Sequence, residues 1–330
     1  MSRLKDYRVR LGLSQEELSK ITGIPRSTIS SIESGRVLPS VDYAIKLARA
    51  LKCSVEELFT KEEDLPFPGF EEGLFTSYRV ENKRILIPIS LVEGDNVPEG
   101  YYRRGKIHWF SRKETITYAF AGCDPSLRIF SNLVREEGIR LLVINSSSLE
   151  ALKLLKRGFV HIAGIHMGNF EDNIRVAKRV LEKGYKLLKL FSWEEGIILR
   201  RGLDIPLKEL KSKLWLARER GSGARKVFDR LKKDLGIENY KIVSGGHEYV
   251  AFGVKEGFGD AGISIRLFAY EKGLDFISLT HEDYCLCYRE EREQDKGFLK
   301  LLDLLRGKGY FQLLSHLPGY EIKSSEEVVL

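Results

Sequence analysis

The sequence predicts a multidomain chain: a small all-α domain of five helices, followed by a larger α/β domain of two lobes. Three observations predict it. Near the start, short amphipathic segments are joined by a tight turn with a helix cap on either side. Residues 61–75 then turn acidic and gather Pro66, Pro68, Gly69 and Gly73, a composition that neither helix nor strand accommodates well. From Thr117 onward, short apolar runs alternate with helical stretches, the pattern of a largely parallel sheet with helices on its faces.

The bulk properties agree. At 330 residues the chain exceeds one core at about 150 residues per domain. With 43% hydrophobic and 31% charged residues it belongs with folded globular proteins, which excludes long disorder. No segment offers the roughly 18 uncharged apolar residues a membrane helix needs, so a cytoplasmic protein without a membrane partner is expected. Cys53, Cys123, Cys285 and Cys287 lack the paired spacing of a zinc site and read as free thiols. A formal charge of +7 suits a polyanionic partner without singling one out.

Residues 4–11 read as the first helix, with Gly12 just beyond it. Ser14-Gln15-Glu16-Glu17 is a capping box, in which the Ser and Glu side chains each satisfy a backbone donor at the next helix start. Leu18 and Ile21 are expected on that helix's apolar face. Thr22-Gly23-Ile24-Pro25 then turns the chain into a third helix over residues 26–33, with Ile29 and Ile32 inward. Its outer side carries Arg26, Ser27, Thr28, Ser30 and Ser31, short polar groups headed by one forked donor. Such a row suits close approach to a surface better than it suits solvation. Residues 42–51 and 55–59 read as two further helices.

Gln15-Glu16-Glu17-Leu18, Thr22-Gly23-Ile24, the run from Ser27 through Arg36, Pro39 and Leu47-Ala48-Arg49-Ala50-Leu51 resemble the five-helix domain of phage repressors and xenobiotic-response-element regulators. The resemblance implies double-stranded DNA as partner, with the third helix in the major groove. It further implies Gln15 on the flanking backbone and Arg36 on a phosphate, while Arg26, Ser27, Thr28 and Ser30 can address base edges. Regulators of this type read half-sites as pairs, so a homodimer is expected. The alternative is a five-helix domain used for protein contact.

Beyond the linker, residues 84–89 and 106–110 look like strands of a small connector. In the α/β text, strands are expected over 117–121, 140–144, 160–164, 186–191, 213–217 and 260–265. Helices are expected over 126–137, 149–157, 175–181 and 225–235. Ligands of such sheets sit where strand ends meet helix starts. Two junctions stand out. Asn145-Ser146-Ser147-Ser148 and Arg218-Glu219-Arg220-Gly221-Ser222-Gly223-Ala224-Arg225 each present hydroxyls and free N–H groups, either as anion sites or as ordinary caps.

Ala121-Gly122-Cys123-Asp124-Pro125, Ala163-Gly164-Ile165-His166, Arg218 with Gly221-Ser222-Gly223 and Arg225, Asp260-Ala261-Gly262-Ile263 and Glu282-Asp283-Tyr284 resemble, in this order, the periplasmic-binding-protein-like domain associated with molybdate. The resemblance implies a small anionic ligand such as molybdate or tungstate, clasped between lobes by Ser148, Ser222, backbone donors near Ser147 and Gly223, and Tyr284. Ser147 stands where that family has Gly, and Ala224 where it has a Thr hydroxyl. Arg218 and Arg225 either balance the ligand's charge or pair with Glu219 and Asp229. An organic anion or cofactor precursor is the alternative ligand.

His161, His166, His247-Glu248 and His281-Glu282 could be gathered into a metal site or a general base. No His-Glu-x-x-His, Walker loop, Gly-x-Ser-x-Gly or dinucleotide fingerprint supports that. The expectation is therefore a regulator with no metal, cofactor or catalytic residue. The other class in play is an enzyme or ligand carrier that its first domain localises. The expected divisions are 1–60 for the helix-turn-helix domain, 61–114 for linker and β-rich connector, and 115–330 for the ligand-sensing domain.

Overall fold

A computed structural model describes residues 4–59, 63–94, 96–111, 115–202, 206–322 and 326–330. The chain divides into two compact units, Met1–Gly69 with Arg79–Leu86, and Phe70–Tyr78 with Ile87–Leu330.

The first unit contains α1 (Leu4–Arg10), α2 (Gln15–Thr22), α3 (Arg26–Glu33), α4 (Val41–Leu51) and α5 (Val55–Phe59). The capping box forms: the Ser14 hydroxyl accepts from Glu17 N at 3.1 Å, and the Glu17 carboxylate accepts from Ser14 N at 2.7 Å. Gly23 ends α2 at φ 70°, a conformation costly for a residue with a Cβ. Leu4, Leu18, Ile24, Ile29, Ile32, Leu47, Leu51 and Leu58 make the core. One expectation fails here. Ile21 is 58% exposed, and Thr22 takes its place inside. The Thr22 hydroxyl donates to Leu18 O at 2.7 Å, which lets a polar side chain turn inward while Ile24 supplies the apolar volume.

The expectation that residues 61–75 form no regular structure is also corrected. They contribute β1 (Glu63–Pro66) and the start of β2 (Glu72–Val80). Three aromatics override the turn-forming composition: Phe67, Phe70 and Phe75 are all buried. Within the first unit β1 runs parallel to the beginning of β3 (Lys83–Pro88) as an edge strand, a position where proline is tolerated. In the second unit, β2 pairs with β4 (Gly100–Arg103), which forms a hairpin with β5 (Lys106–Trp109).

The rest of the second unit is α/β. Its elements run β6 (Thr117–Gly122), α6 (Ser126–Glu136), β7 (Arg140–Asn145), α7 (Ser148–Lys156), β8 (Ile162–Ile165), α8 (Phe170–Val180) and β9 (Tyr185–Leu199). Then follow β10 (Trp215–Arg218), α9 (Gly223–Leu235), β11 (Tyr240–Val243), α10 (His247–Lys255), β12 (Ala261–Ile265), α11 (Arg266–Lys272) and β13 (Asp275–Arg289). The chain closes with α12 (Lys296–Leu305), α13 (Lys308–Ser315), β14 (Tyr320–Glu321) and β15 (Glu327–Val329).

The strand order is β11-β10-β12-β9-β13-β8-β6-β7, with β14 and β15 added along β9. One lobe is built on the parallel set β7-β6-β8, the other on β11-β10-β12. The long strands β9 and β13 join them. They are antiparallel partners from Asp275↔Leu199 to Arg289↔Tyr185, with register shifts at Ser278/Thr280 and Tyr284/Cys285. At one end β13 pairs with β8, and at the other β9 pairs with β12. Residues midway along this ribbon therefore face the junction of the lobes.

Candidate functional site

On α3, Arg26 and Ser27 are exposed, and Thr28, Ser30 and Ser31 are half-buried between the solvent and the Ile29–Ile32 side. The Arg26 guanidinium stands 3.8 Å from Glu16 with its side chain 66% exposed, so it is held loosely. Arg36 is exposed, and its Nε donates to the Ser34 hydroxyl at 3.1 Å. Gln15 differs: its amide donates to Glu33 at 2.8 Å. Glu33 also accepts from Arg8 Nε at 2.7 Å and Nη2 at 3.1 Å, tying α1, α2 and α3 together. Burial works to raise the Glu33 pKa, but these hydrogen bonds hold it below the usual carboxylate range.

In the second unit the two serine-bearing junctions meet. Leu149 N donates to Gly221 O at 3.2 Å, so the first turn of α7 touches the loop before α9. Ser147 is the α7 N-cap residue, without a side-chain capping bond. Ser148 is fully buried; its hydroxyl accepts from His166 N at 3.2 Å and donates to His166 O at 3.3 Å. The Ser222 hydroxyl caps α9, accepting from Arg225 N at 3.2 Å and donating to Glu219 O at 3.1 Å. Gly223 lies so close to His166 that a Cβ there would fall 2.5 Å from the imidazole Nδ1. Arg225 is turned away, with Nε on Asp229 at 2.8 Å and Nη1 on Arg218 O at 3.2 Å.

What the junctions enclose is a knot of buried polar side chains. His166, at the end of β8, lies 3.0 Å by Nε2 from Cys123 Sγ and 2.6 Å by Nδ1 from Glu282 Oε2. Glu195 Oε2 stands 3.8 Å from the same Nδ1. The Trp193 ring packs edge-on to both His166 and His247, with centroids 4.8 and 5.6 Å apart. Tyr284 stacks on Phe191 at 5.1 Å. Arg218 grips Glu219 with Nη2 at 2.7 Å and Nε at 3.0 Å. Among the described residues, Glu195 Oε1 and Oε2, Arg218 Nη1, both ring nitrogens of His247, Trp193 Nε1 and the Tyr284 hydroxyl are buried without a hydrogen-bond partner. Natural interiors leave only a few such groups per hundred residues, and here seven of these atoms gather in one place.

The charges within the knot are settled by its neighbours. Burial opposes a proton on His166, but Cys123 and Glu282 on its two nitrogens outweigh burial and raise its pKa well above the ordinary value. Burial, helped by Glu282, pushes Glu195 well up. Glu282 feels the same burial, yet its hydrogen bond with His166 carries it below the usual range. Burial, Arg218 and His166 together drive His247 well down. His166 is thus biased toward its protonated form and Glu282 toward its carboxylate, while Glu195 is biased toward the acid and His247 toward the neutral ring.

Sequence reasoning reached Ser147, Ser148, Arg218, Ser222, Gly223 and Tyr284, all in or beside this region, but it left His166, His247 and Glu282 as bland histidine and acid pairs. It missed Glu195 and read Cys123 as a mere buried thiol. The signal for Glu195 was its place inside the apolar run Phe191-Ser192-Trp193-Glu194-Glu195-Gly196-Ile197-Ile198. There, a strand with both faces covered must bury one of its acids.

A family model described as the PBP superfamily domain matches residues 131–306. The chain belongs to this family. A helix-turn-helix family model matches residues 4–58, so the PBP-like domain is fused to an amino-terminal helix-turn-helix domain. YvgK of Bacillus subtilis, an uncharacterized protein, is 29% identical over 228 residues, 64% of this chain and 72% of YvgK. An uncharacterized HTH-type transcriptional regulator of Methanothermobacter thermautotrophicus is 42% identical over 62 residues, 18% of this chain and 90% of the regulator. The PBP-like fold also matches a solved Clostridium perfringens protein assigned as a phosphate ABC transporter substrate-binding protein, with bound phosphate. The TM-score is 0.51 at 11% identity, covering 63% of this chain and 100% of that one, a likeness of fold alone. Among the described residues no helix is long and apolar enough to cross a membrane.

Proposed function

We propose that this PBP-family chain is a DNA-binding transcriptional regulator of the cytoplasm, controlled by a small ligand that its second domain encloses between two lobes. The observation that carries the reading is the knot of unpartnered polar atoms at the lobe junction, coupled in one chain to a helix-turn-helix domain. Binding, not catalysis, is the role we assign to the knot. A ligand preferring the closed lobes shifts the population toward that state, and only this preference can supply the energy of the switch.

The unused donors of Arg218, Trp193 and His247 support an anionic ligand, and molybdate and tungstate are the first to test. Organic anions form the second set. Glu282 keeps its charge, so a fully ionised dianion needs positive charge beyond Arg218 and His166. The experiment measures DNA affinity of the full chain and its tryptophan fluorescence, in which Trp193 reports the knot, against molybdate, tungstate, phosphate and small carboxylates. We expect at least one to change both signals. If ligands bind and quench Trp193 without altering DNA affinity, the regulatory reading fails.

A further inference from the structure

We propose that Cys123, His166 and His247 form a site for one divalent transition-metal ion of the zinc class, held between the lobes of the PBP-like domain. The proposal rests on the reading of this cleft as the sensor site and names a ligand for it.

The donor set is of the right kind, since thiolate and imidazole are the ligands that zinc and its neighbours favour. The three donor atoms lie within 4.8 Å of one another. Donors on one tetrahedral zinc ion stand ~3.5 Å apart, from bond lengths of about 2.0–2.3 Å. The 3.0 Å between Cys123 Sγ and His166 Nε2 would therefore open by about half an ångström to admit an ion.

Two further observations point to a cation at these atoms. His247 is 1% exposed with neither ring nitrogen partnered, a costly arrangement that coordination would relieve. His166 has the environment of a metal-ligating imidazole, with Nδ1 on the Glu282 carboxylate at 2.6 Å and Nε2 directed at the other donors. A carboxylate behind the distal nitrogen fixes the tautomer and raises the basicity of the coordinating one. A thiol–imidazole–carboxylate relay without a metal would explain Cys123, His166 and Glu282, but it gives His247 nothing to do.

The placement of the ligands gives the site its consequence. Cys123 follows β6 and His166 ends β8 in one lobe, whereas His247 opens α10 in the other. One ion would thus clamp the two lobes, favouring closure by the energy of the His247 bond. A narrow cleft lined by Cys123, Asn145, His247, Glu93 and Phe268 lies beside these donors. On binding, the Cys123 thiol proton and the Nε2 proton of His166 both leave to solvent, and the metal takes their place on Sγ and Nε2, while Nδ1 keeps its proton toward Glu282. Three protein donors leave a fourth position, to be filled by water or by an oxygen of an anion. Two protons leave as the dication enters, so the cluster's net charge stays the same, and what the ion offers an anion is its open coordination position.

The test uses the full-length chain, reduced and stripped with chelator, titrated with Co2+ and then Zn2+, with DNA affinity followed in parallel. We expect one Co2+ per chain with a thiolate-to-cobalt charge-transfer band that Cys123→Ser abolishes. Zinc affinity should fall by about 10–100-fold in Glu282→Gln and by more in His247→Gln. His247→Gln keeps the test alive should Cys123→Ser fail to fold. A band that persists in Cys123→Ser, or zinc affinity unchanged in His247→Gln, overturns the site. Should neither metal bind while an anion alters DNA affinity, the metal assignment falls and the sensor reading stands. Metal bound at these residues with no effect on DNA affinity retains the site and overturns the sensor reading.

Discussion

Individual side chains of the amino-terminal domain divide into those we propose for DNA recognition and those that hold the helices together. Arg26 is exposed and loosely paired at the start of α3, and Arg36 lies just past its end. Arg26→Ala should cost specific DNA affinity by about 1–3 kcal/mol and relax base preference, if its fork reads a guanine. Arg36→Ala should weaken all sequences alike, and competition binding against random DNA separates the two outcomes. Glu33 is support. Its folded-state pKa is depressed, so the stability it contributes is present above the unfolded value of about 4.3 and is lost as pH falls through the lower folded value. Glu33→Gln should remove that acid dependence, and at neutral pH it should destabilise the domain by about 1–2 kcal/mol, the scale of weakening part-buried hydrogen bonds to a charged group. Hydrogen exchange of the α1–α4 amides between pH 3 and 7 measures both, and a parallel acid profile in the mutant would refute the role. Arg8 and Glu33 are far apart in sequence, which is why their pairing could not be read there, whereas the Ser14–Glu17 box three residues apart could.

At the scale of elements, local signals survived and tertiary ones did not. The strand and helix alternation from Thr117 to Leu235 was legible because each run carries its own period and caps. Two failures share a cause: Ile21 faces outward and residues 63–66 form a strand because distant partners decide burial, not the local composition. The buried polar knot was hidden for the same reason. Its members lie just past β6 and β8, at the end of β10, at the start of α10 and along the interiors of β9 and β13, so they are scattered across the sequence. One element-level contact can be tested directly. Gly223 lets the start of α9 press against His166, and a Cβ there has no room. Gly223→Ala should hold the lobes apart, enlarging the particle in solution scattering and weakening ligand binding while helix content stays constant. Unaltered scattering and affinity would show that the close approach has no part in closure.

The whole molecule should act in pairs. One eight-residue recognition helix reaches too few bases for useful selectivity, and domains of this kind read half-sites about one helical turn, ~34–36 Å, apart. Sedimentation with operator DNA should find two chains per two-fold related site, and a stable one-to-one complex on a non-repeating site would contradict it. The ribbon of β9 and β13 bears on a different matter, the birth of the protein. Because β13 returns to pair with β8 only after the second lobe has been traversed, the second lobe is in effect an insertion within the first. During synthesis β6, β7 and β8 emerge early but wait for residues beyond 280 before the β8 edge is covered. A ribosome stalled near residue 270 would display a bare, apolar strand edge, Ile162-Ala163-Gly164-Ile165, of the kind that recruits chaperones or aggregates.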